Sequence, residues 1–288
     1  MAYRRLSGLF PILALFCLLA DPAAAQKVSF RTVGDFGIVV EGSVAGFPGC
    51  NLLLDTGSQR TVIDRRLAER VPGARSPARV VVVGQTTRVE QIVLPSMTFG
   101  PIAISGLSVL IEDLSPLDRP WGVHLDGIIG MDVLRRNNFA VDFEAHSIRF
   151  GSLPALENVA VFRKELPCVI LPVELDGHPA RLVFDTGMKD VLVFESRVRD
   201  WGVSSGAVPE DATLFVAPER RLRLNFLPVR SVRLGAEDLG PWDVLLAGSG
   251  DDSPHSMDGF LGAFTLHART IAFDFENGRL SWSTVHGL

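Results

Sequence analysis

Two aspartates, Asp55 and Asp185, each open an Asp-Thr-Gly triplet, and each triplet follows a run of apolar residues. Carboxyls are the residue type that can divide acid and base work between two copies of one group. Held side by side, two carboxylates cannot both ionise easily. One therefore keeps a proton at a pH where an isolated Asp, with a pKa of about 3.9, has lost it. The ionised member can take a proton from water while the protonated member gives one to a carbonyl oxygen. Such a pair would hydrolyse an amide without a metal or a nucleophilic side chain, provided that the chain brings Asp55 and Asp185 together.

The contexts of the triplets match. NLLLDTGSQRTVID surrounds the first and RLVFDTGMKDVLVF the second, and some seventy residues later come DGIIG, Asp126 to Gly130, and DGFLG, Asp258 to Gly262. A given tripeptide arises by chance roughly once in several thousand positions, so two in matched contexts carry weight that one would not. The match extends further. DGIIGMDVLRRNNFAVDFEAHSIRF lies over DGFLGAFTLHARTIAFDFENGRLSW without a gap, and Ala78 to Pro95 follows the apolar pattern of Ala212 to Pro228 with one gap. One fold unit is written twice. The expected organisation is a leader over 1–25, a first lobe over 26–153 and a second over 154–288, with the join near Ser152 to Asn158.

Strand signals dominate: VSF, GIVVEG, NLLL, RVVVV, EQIVL, LSVLI and FAVDF, then VAVF, CVILPVEL, RLVF, TLFV, LRLNF, WDVLL and IAFDF. Runs this short, split by Gly and Pro, predict an all-β fold. Helix is expected in two places per lobe only: Asp64 to Arg70 and Glu195 to Arg199 after the triplets, and a turn or two after Gly130 and Gly262.

The paired triplets, with Ile128-Ile129-Gly130 and Phe260-Leu261-Gly262 behind them, resemble aspartic peptidases of the pepsin and retropepsin clan. Over essentially the whole chain beyond the leader, the resemblance is closest to bacterial retropepsin-like proteins with two fused lobes. It implies an all-β bilobal fold with few short helices, in which Asp55 and Asp185 form a catalytic dyad across an interlobe cleft, and an aspartic endopeptidase activity. It also implies supporting roles: Thr56 and Thr186 hydrogen-bonding across the junction, Gly57 and Gly187 bringing amides to the carboxylates, Ser58 offering a hydroxyl to its Asp, and Ile129, Gly130, Leu261 and Gly262 bracing the loops from behind. Met188 departs from the pattern, standing where a small or hydroxyl residue is usual. The substrate-closing hairpin is expected at Gly84-Gln85-Thr86-Thr87, with Ala217-Pro218-Glu219-Arg220 as its counterpart. The sole Tyr, Tyr3, lies in the leader, so a pepsin-like flap tyrosine is absent. With the first lobe starting so close behind the leader, no basic inhibitory prosegment is expected.

A competing reading keeps the fold but not the activity: a peptide-binding or scaffolding module with a damaged second half-site, motivated by Met188. Dependence on both Asp residues separates the two.

The remaining residues set bounds. Arg4 and Arg5, an apolar stretch from Leu9 to Ala20 and Ala23-Ala24-Ala25 before Gln26 make a leader for general export, either cleaved or retained as an anchor. The expected location is periplasmic or secreted. A formal net charge of -5 and the lack of a Lys/Arg cluster exclude a nucleic-acid partner; a peptide or protein substrate, no membrane contact after cleavage and a monomer are expected. No spacing among His, Cys and carboxylates resembles a metal site, so neither metal nor cofactor is expected. Beyond the leader, Cys50 and Cys168 are read as two separately buried thiols, a disulfide being the other option. His124 and His255 are read as solvated loop histidines, Trp121 and Trp242 as core before pocket lining, and Asp142, Glu144, Asp274 and Glu276 as outward-facing strand residues. A Ser-His-Asp triad has no Gly-x-Ser-x-Gly elbow to nominate its nucleophile.

Overall fold

The apolar runs that precede the two triplets are buried on both faces, which is why they read as continuous and not alternating hydrophobic sequence. Leu52, Leu53 and Leu54 are each at most 3% exposed, and Leu182, Val183 and Phe184 at most 1%. A strand buried on both sides needs partners on both edges. In this computed structural model, which describes residues 27–82, 85–201, 213–217, 220–248 and 256–284, both strands have them. Phe47–Leu54 lies antiparallel to Gly37–Val44 and parallel to Gly127–Ile129, with Leu54 beside Ile129. His178–Asp185 lies antiparallel to Ile170–Leu175 and parallel to Gly259–Gly262, with Asp185 beside Gly262.

The same order of partners continues outward from each pair. Val62–Asp64 runs antiparallel to Gly127–Ile129 and parallel to Leu107–Glu112. Val191–Phe194 runs antiparallel to Gly259–Gly262 and parallel to Trp242–Ala247. Each set ends in a hairpin, Ser76–Val82 with Gln85–Leu94 and Thr213–Ala217 with Arg220–Val229. The leader expected over 1–25, Gly84, Pro218, Glu219 and His255 lie outside the described residues.

Strands from the two sequence halves also pair with each other. Phe139–Asp142 is antiparallel to Ala268–Asp274, so that Phe139 faces Phe273 and Ala140 faces Ala272. The sheet runs on through Arg279–Thr284 to Asn158–Val161 on one side. On the other it runs through Ser147–Phe150 to Lys27–Val33. The Phe139 and Phe273 rings stack at 4.5 Å and 25° beneath this sheet, and Trp282 is fully buried in it. Large rings burying this much apolar surface at one seam hold the halves together.

The structure corrects three expectations. A helix, Ser115–Trp121, was not signalled by the sequence; Pro116 in its first turn presets the backbone, and Gly122, at φ 66°, ends it. After Gly262 the turn is a 3-10 helix, Ala263–Leu266. Glu144 and Glu276 are not strand residues but sit in turns after the strands end at Asp142 and Asp274. These two aspartates accept the Ala145 and Asn277 amides at 2.8 and 3.0 Å, a local bond that competes with the strand ladder. Among the described residues, no helix is long and apolar enough to cross a membrane.

Replacing Phe273 by Ala is expected to cost about 3–5 kcal/mol, because the ring fills a fully buried seam that cannot collapse on both sides at once. Urea unfolding monitored by tryptophan fluorescence would measure it.

Candidate functional site

Each buried strand delivers its aspartate at the point where pairing ends. Asp55 still donates its amide to the Ile129 carbonyl at 3.0 Å, and the chain then turns through Thr56 and Gly57. Asp185 closes its strand beside Gly262. The two turns meet through their threonines, which are 0% and 3% exposed. Thr56 N–H donates to Thr186 Oγ1 at 3.1 Å, and Thr186 N–H donates to Thr56 Oγ1 at 3.0 Å. Each hydroxyl then donates across the junction, Thr56 to the Phe184 carbonyl at 2.7 Å and Thr186 to the Leu54 carbonyl at 2.9 Å. Each amide and each hydroxyl of the buried threonine pair thus has a partner from the opposite side of the junction.

This junction sets the carboxyls of Asp55 and Asp185 against each other in a direct hydrogen bond. Asp55 Oδ1 accepts the Gly57 and Ser58 amides at 2.8 and 3.0 Å. Asp185 Oδ1 accepts the Gly187 amide at 2.7 Å, and the Gly57 amide also points toward this carboxyl. Gly57 is required for the approach: a Cβ there would land on the Asp185 carboxylate.

Burial raises both carboxyls above the ordinary Asp range. For Asp185 the neighbouring Asp55 charge and the hydrogen bond that Asp185 donates raise it further, so it stands well above that range. For Asp55 the bond it accepts from Asp185 and the Ser58 and Gly57 amides work against burial. With two amides from its own turn against one for Asp185, Asp55 has the surroundings that better suit a charged carboxyl. Nearby Cys168, only 5% exposed, has its thiol pushed up to about 12 by burial and by these two carboxyls, which keeps it a neutral packing residue. Cys50 and Cys168 are separate free thiols.

The second signatures lie directly behind the turns. Met131 N–H donates to the Ser58 carbonyl at 2.8 Å, and Gly262 N–H to the Asp190 carbonyl at 3.0 Å. A Cβ on Gly130 would stand 2.6 Å from the Arg60 carbonyl carbon, and one on Gly262 2.6 Å from the Met188 carbonyl oxygen. Ile129 and Leu261 are fully buried.

Several site residues differ from expectation in what they do. Ser58 serves Asp55 through its amide; its hydroxyl donates instead to the Arg60 carbonyl at 2.8 Å. Met188 is half-buried and packs against the core. Gly84 lies outside the described residues. Gln85 pairs with Val82 in the last pair before the first hairpin's connection, and beyond it Thr86 is exposed and Thr87 half-buried. His124 is exposed, with its ring nitrogens 3.2 Å from Asp118 and 3.5 Å from Asp126.

Sequence reasoning missed the roles of the signature aspartates themselves. Asp126 accepts the Asn51 amide and Asp258 the Arg181 amide, both at 2.8 Å, four residues ahead of Asp55 and of Asp185. Their presence in both copies of the signature was the available signal. Asp132 was missed as well: its carboxylate accepts the Thr61 hydroxyl at 2.6 Å.

Residues 40–133 match the sequence profile of the aspartyl protease family. No curated protein matches the chain.

The raised carboxyls carry a stability signature. A group with a raised folded-state pKa takes up a proton on folding, so its contribution is fully present below the unfolded value of about 3.9 and is lost as pH rises through the folded one. Asp185→Asn, which removes the buried titration, is therefore expected to melt higher than the parent at neutral pH, by on the order of 1 kcal/mol. The advantage should shrink toward pH of about 3. Melting curves of both proteins across this range would check the sign.

Proposed function

We propose, from the match of residues 40–133 to the aspartyl protease family, that the protein is an aspartic endopeptidase whose dyad is Asp55 and Asp185. The reading that goes with it has a first lobe over 26–153, a second over 154–288 and a substrate held between them as an extended strand. Export of the chain by the leader over 1–25, to the periplasm or beyond, completes it. The observation that carries the proposal is the direct contact of two carboxyls, both raised by burial, at the meeting of two Asp-Thr-Gly turns. A module that only bound peptides would have no use for two buried groups that repel each other when ionised.

Each atom then has a role. A water between the carboxyls gives a proton to Asp55 as its oxygen attacks the peptide carbonyl carbon. Asp185 gives its proton to the carbonyl oxygen in the same step, leaving a neutral gem-diol. Breakdown returns a proton from a diol hydroxyl to Asp185 while Asp55 passes its proton to the departing amide nitrogen. The C–N bond breaks, and the original proton arrangement is restored. The Gly57 and Ser58 amides suit Asp55 to the charged state in which this cycle starts. Exposed Thr86 and half-buried Thr87, on the first hairpin, would line the substrate path in this reading.

The purified protein is expected to cleave an unfolded polypeptide at mildly acid pH. Asp55→Asn and Asp185→Asn should each lower kcat by on the order of 1,000-fold or more while remaining folded. Intact substrate at every pH between about 3 and 7, or cleavage that survives either change, would contradict the proposal; retained peptide binding without cleavage would favour the binding-module reading.

A further inference from the structure

We propose that Asp132 is a positioning residue for Asp55, its carboxylate fixing the turn over 58–61 and so aiming the Ser58 amide at the Asp55 carboxylate. The inference rests on the reading of Asp55 as the charged member of the dyad. Asp132 sits half-buried in the short helix Met131–Leu134. Both its oxygens lie 3.0 Å from the Thr61 amide, and Oδ1 accepts the Thr61 hydroxyl at 2.6 Å. Thr61 is 1% exposed, and its hydroxyl oxygen accepts the Gly130 amide at 3.2 Å. Asp132 N–H also donates to the Gln59 carbonyl at 3.2 Å.

Every carbonyl of the turn is thereby engaged. Ser58, Gln59, Arg60 and Thr61 each have their carbonyl taken, by Met131 N–H, Asp132 N–H, Ser58 Oγ and Leu110 N–H respectively. Asp132 supplies both a backbone and a charged side-chain tie to it. The Arg60 guanidinium, 3.9 Å from Asp132 and 38% exposed, is a weak further contact.

The second half is built differently at the same places. Phe264 stands where Asp132 stands, and Val191 where Thr61 does. The Lys189 ammonium lies 5.1 Å over the Phe264 ring instead of a carboxylate clamp. The half with the clamp is the half whose aspartate accepts two amides from its own turn; in the other half the turn's own amide contact is that of Gly187. A charge-assisted bond to an amide is geometrically demanding, so a clamp on the turn acts on it directly.

The Ser58 amide reports this without substrate. With 15N-labelled protein, its proton shift followed across pH should move with the dyad in the parent and stop moving in Asp55→Asn. In Asp132→Leu the movement should shrink at least about twofold and its midpoint rise by about half to one pH unit, as Asp55 loses a donor. Asp132→Asn, which keeps an acceptor oxygen, should fall between. The acid limb of the kcat profile should shift the same way, with KM within about twofold. An unchanged titration in Asp132→Leu would overturn the inference, as would a lowered melting temperature with the titration unchanged. If Asp132→Leu does not fold, Asp132→Asn decides by the same criteria. A protein that cleaves nothing would sink the peptidase reading, whereas the amide titration would still judge Asp132.

Discussion

The structure depends on four reciprocal hydrogen bonds between Thr56 and Thr186 and the strands behind them. Two turns that each end in a carboxyl would separate if free to do so, since ionised neighbours repel. The threonines prevent it. Each amide finds the other threonine's hydroxyl, and each hydroxyl finds the carbonyl just before the opposite aspartate. Breaking any one of them strands a buried polar group at the centre of the molecule, a loss on the order of 1–3 kcal/mol. The rest of the architecture keeps these bonds in register: the buried strands that carry Asp55 and Asp185, the signatures that pair beside them, and the aromatic seam of Phe139 and Phe273.

Within this near-symmetric frame the two half-sites are unequal. Asp55 has the Ser58 amide in addition to Gly57, and Asp185 has a half-buried Met188 beside it. The inequality fits the work proposed for each, because a base needs donors around its charge and an acid needs few. Met188, read from the sequence as damage to the second half-site, packs against the core, and Asp185 is raised by its own burial and by Asp55. A hydroxyl at 188 is not needed to reach this state; nor does the hydroxyl at 58 touch its aspartate.

Much of this was legible in the sequence. Continuous apolar runs such as Leu52 to Leu54 signal strands buried on both faces, and recurrence of Asp-Thr-Gly and Asp-Gly signatures signals two structurally similar turns. What stayed hidden depends on choices that residue identity does not encode. Ser58 offers both a hydroxyl and an amide, and only the local backbone decides which meets Asp55. Asp126 and Asp258 are spelled in both signatures, but their partners, the Asn51 and Arg181 amides, are unremarkable in sequence because every residue but proline has one. The helix Ser115–Trp121 is too short to show a period, and its two prolines argue against it unless one is recognised at the first turn.

The central claim is that Asp55 and Asp185 titrate as one unit that retains a proton between them. Carbon-13 NMR of the two labelled side-chain carboxyls across pH tests it most directly. The account predicts two well-separated steps, with one proton still held near pH of about 6 and residing mainly on Asp185. Two independent titrations near the ordinary Asp value of about 3.9 would contradict it.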